Sequence, residues 1–242
     1  MLKILYLFML TFVSFSLNAE NYCRVPESKR SAQAKERVLA KLKTALQQKK
    51  LELGSNVFVR IFKKDKELEL WIKGKDTFQL FKTYPICAMS GVLGPKMKQG
   101  DKQAPEGFYT LSADSLHPNS QYHLALNVGY PNHYDKAMDS TGSHIMIHGD
   151  CCSVGCFAMT DPQIEEIYTL IHFALEAGQK QVPLHIFPFH LKPEHLKNHI
   201  KSSWYFFWSM LQPVYLEFEK TKIPPLIKIK DKLYCFAESS NS

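Results

Sequence analysis

After the first 19 residues the chain has no apolar run long enough to span a membrane, which excludes a multi-span membrane protein. It has no internal repeat and no low-complexity tract, so repeat architectures and biased, disordered segments are excluded as well. A second Cys-x-x-Cys knuckle is missing, and the His195-x-x-x-His199 pair lacks the Glu of a metalloprotease helix. The 30 Lys and Arg are not interleaved with aromatic stacking residues, which argues against a nucleic-acid partner despite a formal net charge of +7. That charge suits an anionic surface such as a wall polymer.

At the N-terminus, Lys3 precedes an apolar run from Ile4 to Leu17, and Asn18-Ala19 offers a small residue for cleavage. Residues 1–19 therefore read as a secretory signal peptide; the run is shorter than a membrane anchor needs. The residues ahead of Cys23 (Glu20-Asn21-Tyr22) give no lipid-attachment context, so the product is expected to be soluble and exported, without a stable membrane span. Export puts six cysteines, Cys23, Cys87, Cys151, Cys152, Cys156 and Cys235, in an oxidising compartment where bridges form. Adjacent Cys151 and Cys152 are poor partners for each other, Cys23 with Cys235 is one candidate pair, and a bridge among Cys87, Cys151 and Cys152 is left open.

Apolar residues at helical spacing (Ala34, Val38, Leu42, Ala45, Leu46) predict an amphipathic helix over 31–50 with a solvated basic face. Alternation over 56–62 and 67–73 around the charged turn Lys63–Lys66 predicts a β-hairpin, and 78–87 a third strand. The stretch 90–107, with four Gly and two Pro, is an irregular loop, either functional or a flexible surface connection. Strand character returns at 108–113, 122–128 and 145–148, and 183–188 is a further short strand. A helix is predicted from Thr160 or Asp161 to about Gly178, and another over 193–210 with Leu196, Ile200, Trp204, Phe207 and Trp208 on one side. The tail adds an edge strand or wraps the surface. The expected division is 20–54 helical, 55–190 catalytic, and 191–242 a helix and tail packed on it.

The chemistry concentrates in 144–161, HIMIHGDCCSVGCFAMTD. His148 and Cys156 stand at the two ends of a loop containing Gly149, Ser153 and Gly155, ahead of a helix start. A free thiol is mostly protonated near neutrality, and an imidazole can take its proton and later return it to a leaving amine. Cys156 is the candidate nucleophile and His148 the candidate base. Gly155 admits close approach, with backbone N–H groups converging on an oxyanion near the helix start. Gly149 leaves room for a substrate backbone, and Ser153 either orients a catalytic group, donates to the oxyanion or closes the turn. Lys96 and Asp101 in the Gly-rich loop are candidate substrate contacts, and Tyr130 and His123 candidate cleft residues.

These residues carry a resemblance. The His-Gly…Ser-x-Gly-Cys arrangement and the Ala104–Tyr109 stretch resemble the L,D-transpeptidase (YkuD-type) catalytic domain, a peptidoglycan-acting cysteine enzyme. Leu93–Lys96, Gln99–Asp101, Pro105–Tyr109 and Ile147–Thr160 resemble its YafK/DpaA-like periplasmic branch, over roughly residues 55–225. The resemblance implies an α+β fold with a mostly-β catalytic domain, an N-terminal helix and helices after the active-site Cys. It implies no metal or organic cofactor, a periplasmic location and a thioester on Cys156 formed at diaminopimelate of peptidoglycan peptide stems. Gly155 and Cys156 would supply oxyanion-hole amides. Val154 and Ala158 stand where typical members have His and Arg; the branch sharing that loss implies hydrolysis that detaches a Lys-linked outer-membrane lipoprotein, a related branch removes terminal D-Ala, and transpeptidation stays open beside them, with hydrolysis favoured by the missing Arg. Two rival readings are a zinc site built from His144, His148, Cys151, Cys152 and Cys156, and an inactive wall-binding protein in which Cys156 is a buried structural thiol.

Overall fold

One strand is buried on both of its faces. In the computed structural model, which describes residues 24–237, every residue of Val57–Phe62 (β1) is buried. The two-residue period of a strand sends Val57, Val59 and Ile61 to one side and Phe58, Arg60 and Phe62 to the other. The alternation legible in the sequence is therefore not apolar-in and polar-out. Arg60 is itself inside, its Nε donating to Glu69 Oε2 at 2.8 Å and its Nη1 to Glu219 Oε1 at 2.6 Å. Its guanidinium lies 4.6 Å from the Phe218 ring centroid and 5.0 Å from that of Trp71.

Helix α1 (Lys29–Gln48) precedes β1, and β2 (Glu67–Lys73), β3 (Phe78–Pro85) and β4 (Gly107–Leu111) follow it. Then come β5 (Leu116–His117), β6 (Ala125–Asn127), α2 (His133–Ala137), β7 (Met146–His148), β8 (Phe157–Ala158) and α3 (Asp161–Glu176). The chain closes with β9 (Val182–Phe187), α4 (Pro193–Lys197), α5 (Tyr205–Thr221) and the hairpin β10 (Ile227–Lys230) and β11 (Leu233–Phe236). Five strands form one sheet in the order β3-β2-β1-β9-β4, with β9 parallel to β1 and antiparallel to β4. Four short strands form a second sheet in the order β5-β6-β7-β8. The fold is α+β, with β-sheets at its centre and helices on either side.

The Val57 side of the large sheet packs with α1, α3 and the small sheet into the main core. Helix α1 buries Ala34, Val38, Leu42 and Leu46, one face at four-residue spacing, behind a Ser28–Ser31 capping box. Its basic face is not simply solvated, because Arg37 and Lys41 pair with Glu165 and Glu166 on α3. The opposite side of the sheet is covered by α5 and the β10–β11 hairpin through an aromatic cluster including Phe62, Phe108, Phe187, Trp208, Tyr215 and Tyr234.

The helix expected over 193–210 is two helices. α4 ends at Lys197, turns occupy 198–204, and α5 begins only at Tyr205 and runs through Pro213. Ile200, expected on the packed side, sits in those turns and is 61% exposed. The strand expected over 122–128 shrinks to Ala125–Asn127. The 1–19 signal peptide and Cys23, one half of the expected Cys23–Cys235 pair, lie outside the described residues. Among the described residues no helix is long and apolar enough to cross a membrane.

Candidate active site

His148 closes β7, and Cys156 immediately precedes β8; the two strands are parallel neighbours, Ile147 opposite Phe157 and His148 opposite Ala158. Parallel neighbours usually need a crossover of about a dozen residues or more. Here the return is made by residues 149–156 alone. So short a return needs unusual backbone: Asp150 and Cys151 have φ of 64° and 36°, and Gly155 has φ of 98°, which only glycine adopts without strain. The loop is pinned by Asp150 N–H to Asp161 Oδ1 at 2.8 Å, Met159 N–H to the His148 carbonyl at 2.7 Å, and a Cys87–Cys151 disulfide. Strand β8 lies between Cys156 and α3, which starts at Asp161, so the thiol sits ahead of that helix start with a short strand in between.

The imidazole of His148 is buried, and its Nδ1–H donates to the Gly149 carbonyl at 2.6 Å. A carbonyl only accepts, so the neutral ring has its proton on Nδ1 and a lone pair on Nε2. Burial lowers its pKa below 6.5, opposed by the Gly149 hydrogen bond and the Asp150 charge. The Tyr122 ring covers it at a centroid distance of 4.7 Å. A Cβ on Gly149 would meet Asp161 Oδ1 at 2.5 Å and His123 Cβ at 3.1 Å, so the space at Gly149 is filled by the protein itself.

The Cys156 thiol is half-buried. Its Sγ accepts from the Met146 N–H at 3.4 Å and lies 3.7 Å from the His144 carbonyl oxygen, which the S–H can donate to. Burial raises its pKa above 9.0, partly offset by the Met146 amide and the Lys96 charge. Among the described residues no hydrogen bond joins Sγ to His148; thiol and imidazole are both neutral, on adjoining strands. Ser153 Oγ donates to the Cys156 carbonyl at 2.7 Å and so closes the turn. The Gly155 N–H has no protein acceptor among the described residues.

Cys156 opens into a cleft of about 300 Å³ lined by Lys96, Gln99, Lys102, Ser143, His144 and Val154 among others, with His148 outside its lining. One wall is the Gly-rich loop, which is firmly built. Asp101 accepts from Met97 N–H and Lys98 N–H at 3.0 Å, Gln103 N–H at 3.1 Å and Lys96 Nζ at 2.5 Å. Burial raises the Asp101 pKa, but these donors outweigh it and bring the carboxyl to about 2. Tyr130 is buried, its hydroxyl shared between the Lys96 and Thr141 carbonyls at 3.2 Å each. Asp101 and Tyr130 thus hold the wall, while Lys96 lies in the cleft. His123 instead turns to Glu165, Nε2 to Oε1 at 2.8 Å.

Sequence reading missed what anchors this wall. Lys63, expected in a charged turn, is buried and donates to the Gly94 and Ala104 carbonyls at 2.7 and 2.9 Å and to Glu106 Oε1 at 2.9 Å. Glu106 Oε2 accepts from Trp208 Nε1 at 2.8 Å. Gln103 accepts from Val92 N–H and donates to the Gly94 carbonyl. Nothing in the run Lys63-Lys64-Asp65-Lys66 marks one lysine as internal. Cys152 is an exposed free thiol, and Cys151 is taken up by its disulfide. The five donors of the zinc reading do not converge: among the described residues no group of three or more His, Cys, Asp or Glu is arranged to hold a metal ion.

Residues 56–184 match the L,D-transpeptidase catalytic domain (YkuD). The chain is 43% identical over 182 residues to the "Putative L,D-transpeptidase YafK" of Escherichia coli K12, covering 75% of this chain and 74% of that protein. It is also similar to crystal structures of the helical cell shape determining protein Pgp2 from Campylobacter jejuni. One is 20% identical with a TM-score of 0.43, covering 82% of this chain and 84% of that one. The K307A mutant of Pgp2 is 19% identical with a TM-score of 0.46, covering 88% and 86%. The family match spans β1 to β4, the start of β9 and the whole Cys156 loop, and with the YafK likeness it shows that the chain belongs to the L,D-transpeptidase catalytic-domain family, which acts on peptidoglycan.

Proposed function

We propose that this chain is an exported, periplasmic cysteine enzyme that tailors peptidoglycan through a Cys156 thioester at diaminopimelate of the peptide stem. The observation that carries the reading is the placement, at the two ends of the β7–β8 loop, of a buried neutral imidazole whose Nδ1–H is fixed by the Gly149 carbonyl and a half-buried thiol at the mouth of a cleft. With substrate seated, the thiol leaves the His144 carbonyl and gives its proton to His148 Nε2, while sulfur attacks the amide carbonyl carbon. The N–H groups of Gly155 and Cys156 receive the oxyanion. Collapse breaks the C–N bond, and His148 returns the proton to the leaving amine. Water, deprotonated by His148, then attacks the thioester and regenerates the thiol and a free carboxylate.

Hydrolysis, rather than transfer to a second stem, is supported by Ala158. It is fully buried and bridged to Ala88, where typical members of the family carry an arginine. Without that cation a substrate carboxylate has one anchor fewer; of the cleft lysines, Lys96 is already paired with Asp101 and Lys102 is exposed. The leaving amine is terminal D-Ala or the lysine of a peptidoglycan-attached outer-membrane lipoprotein. The test is mass spectrometry of muropeptides after incubating purified enzyme with sacculi, with and without bound lipoprotein. Loss of D-Ala or release of lipoprotein is the expected outcome, absent with Cys156→Ser. New cross-links would refute hydrolysis, and an unchanged product profile would refute the enzyme.

A further inference from the structure

Lys96 lines a second cavity besides the Cys156 cleft, of about 380 Å³, between the Gly-rich loop, α2, the start of α5 and the β10–β11 turn. Its walls include Met97, Trp204, Phe206, Phe207 and Leu233. Phe206 is 73% exposed, a large aromatic ring left uncovered at the rim.

Asp135 also lines this cavity, although the residue is only 2% exposed. Its Oδ2 accepts from the Tyr109 hydroxyl and the Asn132 N–H at 2.9 Å each. Its Oδ1 accepts from no donor among the described residues, and it is not among the buried polar atoms sealed from open space. Unpaired within the described residues and not sealed off, that oxygen can take a donor from a ligand in the cavity. The cations nearby do not supply one: Lys96 is engaged by Asp101 at 2.5 Å, and Lys232 lies in the hairpin turn beside Asp231.

Aromatic faces around a single free carboxylate oxygen suit a cation on an apolar stem, which gains a charge-assisted hydrogen bond and contact with the rings. We propose that this cavity takes the lysine or arginine side chain of a polypeptide that runs on into the Cys156 cleft. Lys96 borders both spaces, so the cavity and the Cys156 cleft lie on either side of one residue. The inference rests on the acyl-transfer reading only in making that polypeptide the amine-side portion of the substrate; the binding itself needs no turnover.

The probe is Nα-acetyl-lysine amide, with its Nε-acetylated form as the neutral isostere, titrated into the full chain labelled with 15N-tryptophan. Of its three tryptophans, only Trp204 lines the cavity. A saturable shift of the Trp204 indole signal is expected, with the cationic probe about tenfold tighter than the isostere. Asp135→Asn should erase that preference. Because Asp135 also braces α2, Phe206→Ala is the second variant; its exposed side chain can be lost without unfolding, and both probes should weaken. Equal affinity for the two probes, a Trp204 signal that does not move, or unaltered binding in Phe206→Ala would overturn the proposal. The readout is binding alone, so its failure is distinguishable from failure of the sacculus assay.

Discussion

His148 and Cys156 stand at the two ends of one loop and are held by opposite means. The His148 flank is buried under Tyr122, has no room for a Cβ at Gly149, and fixes its ring by a local backbone hydrogen bond. The Cys156 flank is half-open, follows three residues of left-handed backbone in its loop, and depends on a disulfide and a turn-closing serine for its place. The proton acceptor is thus set by packing, whereas the thiol is set by a tether and meets only the Met146 amide and the His144 carbonyl.

The largest effects should come from removing either chemical group. Cys156→Ser or His148→Gln is expected to lower turnover on sacculi by about 10³-fold or more with the thermal midpoint little changed for the serine variant; a calorimetric scan beside the muropeptide assay checks both. In the same assay the pH profile should have its acid limb below pH 6.5, because burial lowers the His148 pKa and the neutral ring is the base. Lys63→Met leaves the buried Glu106 charge without its cation and should cost about 3–5 kcal/mol in denaturant unfolding, loosening the wall of the Cys156 cleft. Replacing Cys87 and Cys151 together by Ser should cost about 2–4 kcal/mol. It should also lower kcat more than it raises KM, since it loosens the thiol flank alone.

Gly149→Ala tests the other flank and should cost about 1–3 kcal/mol through overpacking against Asp161 and Ile164. Equal kcat losses from this change and from the disulfide variant would erase the distinction between the flanks. The smallest effect is acid loosening of the cleft wall. The folded Asp101 carboxyl titrates at about 2, below its ordinary 3.8, so its hold on the loop is complete above pH 3.8 and is lost as pH falls through about 2. Hydrogen exchange of the 97–103 amides across that range measures it.

What could be read in advance was local. The β1–β2 hairpin followed from alternation around a short turn, α1 and α3 from helical spacing and caps, and the Cys156 loop from residue types whose chemistry is carried within a few positions. What could not be read depends on distant partners. Arg60 is internal because Glu219, far along the chain, meets it, and Lys63 because Glu106 and two carbonyls do. The break at 198–204 was hidden because Leu196, Phe207 and Trp208 keep a helical spacing across it while Ile200 turns outward. Strand β8, two residues long, exists only through pairing with β7 and the bridge to Ala88. The Cys87–Cys151 choice, too, depends on the turn that brings β3's end to the loop.

The place of β9 in the large sheet also sets an order of events. Strands β1 to β3 are neighbours in sequence and can pair as soon as they leave the ribosome. But β4 joins the sheet only through β9, which follows the whole Cys156 loop and α3. The sheet can therefore be completed only once β9 is available to seat between β1 and β4, a long-range pairing. A chain truncated before Val182 would carry the complete thiol motif and its local pins, but β4 would have no strand of the large sheet to pair with.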